Sequence, residues 1–218
     1  MKINKLCLLS VSYLFLAINL LAQHDTSAGT ENQLQKLIDG NKRFADSKTE
    51  HINQSAERRT ELAKGQKPFA VVVTCSDSRV PPEIIFDQGL GDLFVIRTAG
   101  NIIDDIGLGS IEYAVEHLGV QLIVVLGHEK CGAVDAAVKG GHAEGHIQYL
   151  IDAIRPVVEK EKNNNGDLLD NSVKANILRV VSQLNSSEPI LEEFVHGKKL
   201  TIVGARYDLD DGVVTILQ

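Results

Sequence analysis

Residues 69–79 read Phe69-Ala70-Val71-Val72-Val73-Thr74-Cys75-Ser76-Asp77-Ser78-Arg79, an apolar and β-branched run that ends abruptly in polar residues. Phe69–Thr74 is nearly continuous rather than alternating, the pattern of a strand buried on both faces of a parallel sheet. Leu93–Ile96 and Leu122–Leu126 have the same character. Between them, Leu108–Leu118 brings Ile111, Ala114, Val115 and Leu118 onto one helical face. Strands alternating with helices predict right-handed crossovers and a doubly wound α/β sheet.

Upstream, Glu31–Ser47 reads as a helix, with Leu34, Leu37, Ile38 and Phe44 at helical spacing, and a charged helix over Gln54–Lys64 stops at Gly65. Downstream, helices are expected over 133–139, 147–160, Ser172–Leu184 and Pro189–Val195. Leu200–Ala205 and Val213–Leu217 flank the turn Asp208-Leu209-Asp210-Asp211-Gly212 and read as a hairpin. The prediction is therefore an α/β fold: a mostly parallel central sheet flanked by helices, with an antiparallel C-terminal edge strand. There is no internal repeat, low-complexity tract or interdomain linker, so residues 23–218 read as a single domain.

The 218 residues carry 22 Lys+Arg against 29 Asp+Glu, a formal net charge of −7. That balance offers no cationic footprint for nucleic acid. At 44% apolar and 23% charged, the chain is ordinary for a soluble globular protein. The N-terminus has the order of a secretory signal peptide: Lys2 and Lys5, the apolar run Leu6–Leu21, then Gln23-His24-Asp25. Cleavage after Ala22 is expected, with export to a bacterial periplasm. The rival is an uncleaved anchor, though the run falls short of the roughly 20 residues that span a bilayer. Removing 1–22 deletes two lysines and no acids, which takes the charge to −9. It also deletes Cys7, leaving Cys75 and Cys131.

Cys75-Ser76-Asp77-Ser78-Arg79 follows the first strand and Gly127-His128-Glu129-Lys130-Cys131-Gly132 follows the third. Open α/β sheets bind ligands beyond the carboxyl ends of their strands. Cys75, His128 and Cys131 can thus converge although 53 residues separate the first two. Two thiolates and an imidazole suit Zn²⁺, and three protein ligands leave the open position of a catalytic site. Spacing alone leaves a disulfide or plain core cysteines open as well. Asp77 and Arg79 alternate with Cys75, so an extended chain projects all three to one side. Gly132 permits close backbone approach to a small ligand.

These two motifs, C-x-D-S-R and H-x-x-C-G, closely resemble those of the β-class carbonic anhydrases. The resemblance extends from Asn41-Lys42-Arg43-Phe44 through Phe86-Asp87-Gln88, Gly91-Asp92-Leu93-Phe94 and Arg97-Thr98-Ala99-Gly100-Asn101 to the C-terminal hairpin. Thr98 departs from the usual R-N-A-G-N. The resemblance implies one Zn²⁺ per subunit on Cys75, His128 and Cys131, with Asp77 and Arg79 as a dyad beside it. It also implies that Gln66, nine residues before Cys75, hydrogen-bonds the substrate, that Phe94 and Tyr113 line the pocket, and that the Gly132 N–H meets bicarbonate. In that family the pocket lies at a dimer interface, so a homodimer or tetramer is implied. In some members the Asp swings onto zinc as a fourth ligand. Bicarbonate-regulated relatives carry a Trp near the metal strand, and this chain has none, so the open form is expected with Asp77 held by Arg79.

The chemistry implied is reversible hydration of carbon dioxide to bicarbonate and a proton. Zinc lowers the pKa of bound water and supplies the hydroxide that bulk water lacks. Asp77 orients that nucleophile and Arg79 keeps Asp77 ionised; the competing reading of the dyad is a structural salt bridge. Carbonyl sulfide or carbon disulfide is an alternative substrate, and a non-catalytic zinc or thiol-pair protein is the alternative from another class. His142 and His146, four apart, sit among Gly140, Gly141 and Gly145, which favours a loop over a second metal site.

Overall fold

Val71, Val72 and Val73 are wholly buried, so strand β1 (Ala70–Cys75) forms the spine of the sheet. Each fully buried valine contributes about 1.5–3 kcal/mol of hydrophobic free energy. The computed structural model describes residues 29–217. Residues 1–22, read from sequence as a signal peptide and carrying Cys7, lie outside the described residues. A first helix, α1, spans 29–45. Next come α2 (Ala56–Leu62), β1, α3 (Pro82–Ile85), β2 (Leu93–Thr98), a 3-10 turn (Ala99–Asn101), α4 (Asp105–Glu116) and β3 (Leu122–His128). Then follow α5 (Gly132–Lys139), α6 (Ile147–Glu161), α7 (Leu168–Asn185), α8 (Ile190–His196), β4 (Thr201–Tyr207) and β5 (Val214–Leu217).

The strand order is β2-β1-β3-β4-β5. β1 pairs in parallel with β2 and β3, β3 with β4, and β5 closes the sheet antiparallel to β4. The predicted mostly parallel sheet with an antiparallel C-terminal edge strand is what forms. β1 and β3 are buried along their whole length, as their unbroken apolar runs require. α7 packs on β3 and β4, α4 on β2, and α5 and α6 stack beside α7. Asn41 of α1 ties that helix to the sheet, donating to the carbonyls of Ile85 and Gly212 and accepting from the Val214 N–H.

Several boundaries differ from the sequence reading, each for a local reason. β2 runs on to Thr98 and β3 to His128 because Cys75 faces Thr98 and His128 faces Tyr207 across the sheet. Pairing supplies what Arg97, Gly127 and His128 lack in strand propensity. α7 starts at Leu168, four residues early, since the Asp167 carboxylate caps it by accepting from the Asp170 N–H at 2.7 Å. Residues 140–146 form the expected loop.

Candidate metal centre

Cys75 and His128 are the last residues of β1 and β3. Thr74 lies opposite Leu126, so the two strand ends stand side by side at the point where the chain switches direction across the sheet. Cys131 comes from a second kind of local structure: it is the N-cap of α5, reached through Lys130 in a left-handed conformation (φ 51°). All three side chains are buried, and their donor atoms lie within 4.8 Å of one another.

The sulfurs of Cys75 and Cys131 are 4.0 Å apart, and both cysteines are free. Two sulfurs about 2.3 Å from a tetrahedral zinc stand roughly 3.8 Å apart, so the spacing fits a shared metal far better than a disulfide. The imidazole of His128 completes the donor set. Its Nδ1 lies 2.8 Å from the Glu129 carbonyl, which can only accept, so the ring carries its proton there. Nε2 is left with a free lone pair, buried and without a hydrogen-bond partner among the described residues. An orphaned imidazole nitrogen facing two thiols is the pattern of a metal ligand oriented from behind by a backbone carbonyl.

Backbone N–H groups surround the sulfurs. Cys75 Sγ accepts from Gly100 at 3.3 Å and Asp77 at 3.4 Å. Within the thiol pair, the Cys131 hydrogen bond pulls Cys75 well below the ordinary thiol range despite its burial. The same bond, reinforced by burial, pushes Cys131 upward. Metal ligation needs both sulfurs deprotonated, so uptake of a cation here would release protons.

Asp77 and Arg79 adjoin this set, but not by the alternation the sequence reading assumed. The strand ends at Cys75, and residues 78–79 form a turn. Asp77 Oδ1 accepts the Arg79 backbone N–H at 2.9 Å, an Asx-type turn that folds the dyad back on itself. The guanidinium then grips both carboxylate oxygens, Nε to Oδ1 at 2.9 Å and Nη2 to Oδ2 at 2.7 Å. These bonds hold Asp77 far below the usual carboxylate range, against the opposing effect of partial burial. Asp77 Oδ2 lies 3.8 Å from His128 Nε2.

Gly132 opens α5 next to Cys131, and a Cβ there would meet nothing within 4 Å, so its approach side is clear. Gln66, Phe94 and Tyr113 are not brought to this point. Gln66 is exposed just before β1, at the opposite end from Cys75. Phe94 pairs with Val71, four residues below Cys75, about 13 Å along the strand. Tyr113 on α4 lies 6.5 Å from the Phe94 ring and 5.2 Å from that of His117.

Arg97 was quoted in the sequence only as part of a motif. Its Nε donates to the Cys75 carbonyl at 3.0 Å and its Nη2 to the Asp77 carbonyl at 2.6 Å, bracing the turn that carries the dyad. No spacing rule announces such a brace, since both acceptors are backbone. Glu129, Asp208 and Asp210 also gather within metal-binding distance, but Lys130 bonds Asp210 at 2.8 Å and Arg206 bonds Asp208 at 3.2 Å, so cations already neutralise them.

A family model described as carbonic anhydrase matches residues 70–214. Carbonic anhydrase 2 of Mycobacterium tuberculosis is 45% identical over 180 residues, covering 81% of this chain and 87% of the relative. The carbonic anhydrase of Mycolicibacterium smegmatis is 41% identical over 184 residues, covering 83% and 89%. Among solved structures, the Coccomyxa β-carbonic anhydrase in complex with acetazolamide matches with a TM-score of 0.67 at 29% identity, covering 72% of this chain and 75% of that one. A tetrameric β-carbonic anhydrase from Sordaria macrospora matches at 0.69 and 26% identity, covering 85% and 97%. Fold, donor set and sequence kinship agree, and the chain belongs to the β class of the carbonic anhydrase family.

Proposed function

We propose that Cys75, His128 and Cys131 hold one zinc ion per subunit, and that Asp77 and Arg79 serve the reversible hydration of carbon dioxide beside it. The observation that carries this reading is the donor set itself: two thiols 4.0 Å apart facing a buried, unpartnered imidazole nitrogen at adjacent strand ends. When bound, zinc supplies the Lewis acidity that makes hydroxide available from water near neutral pH. Two thiolates cancel the ion's formal charge, so more of the work falls on the protein. Asp77, kept anionic by Arg79, accepts a hydrogen bond from the attacking oxygen and orients it. With both its oxygens engaged by the guanidinium, Asp77 is restrained from closing the site as a fourth ligand. The Gly132 N–H at the start of α5 meets the bicarbonate oxygens.

Gln66, Phe94 and Tyr113 lie too far down the sheet to serve their own chain's centre, and we read them as lining that of a second subunit. The family resemblance, in which the pocket sits at a dimer interface, supports this. So does the position of β2 at the sheet edge, with Ile106 80% exposed and Tyr113 47% exposed nearby. The smallest assembly in this reading is a homodimer, and a tetramer pairs two of them. The charged and then apolar order of residues 1–22 supports export to the periplasm.

A stopped-flow pH-indicator assay tests the reaction. Zinc-loaded protein should accelerate carbon dioxide hydration and chelated protein should not; equal rates for the two would refute the proposal.

A further inference from the structure

Asn176 lies in the middle of α7 and is completely buried. A primary amide withdrawn from water there must find partners for its oxygen and its NH₂. Nδ2 donates to the Gly100 carbonyl at 2.8 Å. Oδ1 accepts from Arg179, Nε at 3.3 Å and Nη2 at 3.2 Å. A guanidinium can only donate, so Arg179 decides which end of the amide is oxygen and turns the NH₂ toward Gly100.

Arg179 has little else to do. It is half-buried beside a groove of about 610 Å³ between α6 and α7, and no carboxylate stabilises its charge among the described residues. Gly100 lies 76 residues from Asn176 and carries a left-handed φ of 70°. Its N–H points to Cys75 Sγ. The residue whose N–H hydrogen-bonds the sulfur is therefore anchored through its own carbonyl, in the next peptide unit, to an amide on α7.

We propose that Asn176, oriented by Arg179, is a positioning residue for the ligand Cys75: it fixes the Gly100 backbone whose N–H hydrogen-bonds the sulfur, and so sets how much charge that thiolate gives the metal. A hydrogen bond to a thiolate draws electron density away from the metal bond, and partners behind a ligand tune the centre as well as orient it. The inference rests on the zinc reading above. A purely structural Asn176 would instead only fill the polar gap between α7 and the 99–101 turn.

Cobalt(II) in place of zinc in the full-length protein separates the two, because its thiolate-to-metal charge-transfer band reports donor strength directly. In Asn176→Leu the band should move to lower energy, and zinc, measured by chelator competition, should bind roughly 10-fold more weakly or worse. A folded Asn176→Leu protein whose band stays at the wild-type energy overturns the proposal, even if it melts earlier. Should that variant fail to fold, Arg179→Met, which frees the amide to rotate, should shift the band the same way by less; a wild-type band there also overturns it. Wild-type protein that takes up cobalt without any thiolate band would instead defeat the metal reading beneath.

Discussion

Replacing Gly100 by alanine should damage stability and metal retention together. A Cβ at that position stands 2.8 Å from Ile154 Cδ1 and 3.1 Å from Ala133 Cβ. Neither neighbour yields cheaply: Ile154 is wholly buried in α6, and a Cβ moves only with its backbone. The φ of 70° adds the left-handed penalty of an L-residue, about 1–2 kcal/mol. Overpacking a close-packed site costs about 1–3 kcal/mol more. The sum, about 2–5 kcal/mol, lowers the Tm of a chain this size by roughly 4–20 °C. The strain is relieved by moving the 99–101 turn, which carries the Gly100 N–H away from Cys75 Sγ, so zinc retention should fall by roughly 10-fold or more. Thermal unfolding of the zinc-free and zinc-loaded forms, with zinc content after a chelator challenge, measures both effects. Gly109→Ala is the control, since its Cβ meets nothing within 4 Å in α4 and helix propensity predicts a gain of about 1 kcal/mol. Gly100→Ala protein that melts within about 1 °C of wild type and keeps its zinc would refute the reasoning.

Asp77→Ala should retain zinc, assayed by metal analysis, while losing roughly 10²–10⁴-fold in turnover. Because Arg79 lowers the Asp77 pKa, the contribution of its ionised form is complete above the unfolded value of about 4 and is lost only as pH falls through the lowered folded value. The pH–rate profile of the wild type should therefore owe no limb between pH 5 and 8 to Asp77, whereas Arg79→Ala should move an acid limb upward toward that window. Gln66→Leu and Cys75→Ser chains, each inactive alone, should recover about a quarter of wild-type activity when refolded together in equal amounts, since half the dimers are mixed and each has one intact centre. No recovery would place Gln66 at its own chain's site, and a fully active Gln66→Leu protein would place it at none. If Tyr113 lines a second subunit's centre as proposed, exposed His117, its ring tilted against Tyr113, stands beside that centre as a proton outlet; His117→Ala should then slow turnover in dilute buffer and recover with added imidazole.

Much of the fold was legible because burial on both faces leaves a plain mark. Val71–Val73 and Ile123–Val125 have no polar residue to alternate with, and they form the two central strands. The strand ends were less legible, since pairing carries β2 through Arg97 and β3 through Gly127 and His128, which have little local preference for strand. The clustering of Cys75, His128 and Cys131 was readable because metal ligation restricts residue type and the topology brings them to one edge of the sheet. The route by which Asp77 reaches them was misread: alternation presumes an extended chain, but the Asp77 carboxylate captures the Arg79 N–H and turns it. Arg97 and Asn176 left no signal, because the partners that tie them to the centre are carbonyls and any residue supplies a carbonyl.

That last point bears on how the centre is held. Each of its three donors is oriented by the backbone: Cys75 by the N–H groups of Gly100 and Asp77, His128 by the Glu129 carbonyl, and Cys131 by its place at the start of α5. Apart from proline, which removes an N–H, substitution leaves backbone groups in place, so the donor geometry is vulnerable chiefly through whatever fixes those residues in turn. For Gly100 that is Asn176. For Glu129 it is the β4–β5 turn: its N–H donates to the Tyr207 carbonyl at 3.1 Å, and its carboxylate accepts from the Leu209 N–H at 2.8 Å. Two of the candidate ligands therefore sit on strand ends and the third at a helix start, one layer removed from the side chains that fix them. A site built this way would keep a bound metal through most surface change and concentrate its sensitivity in a few buried polar residues behind the donors.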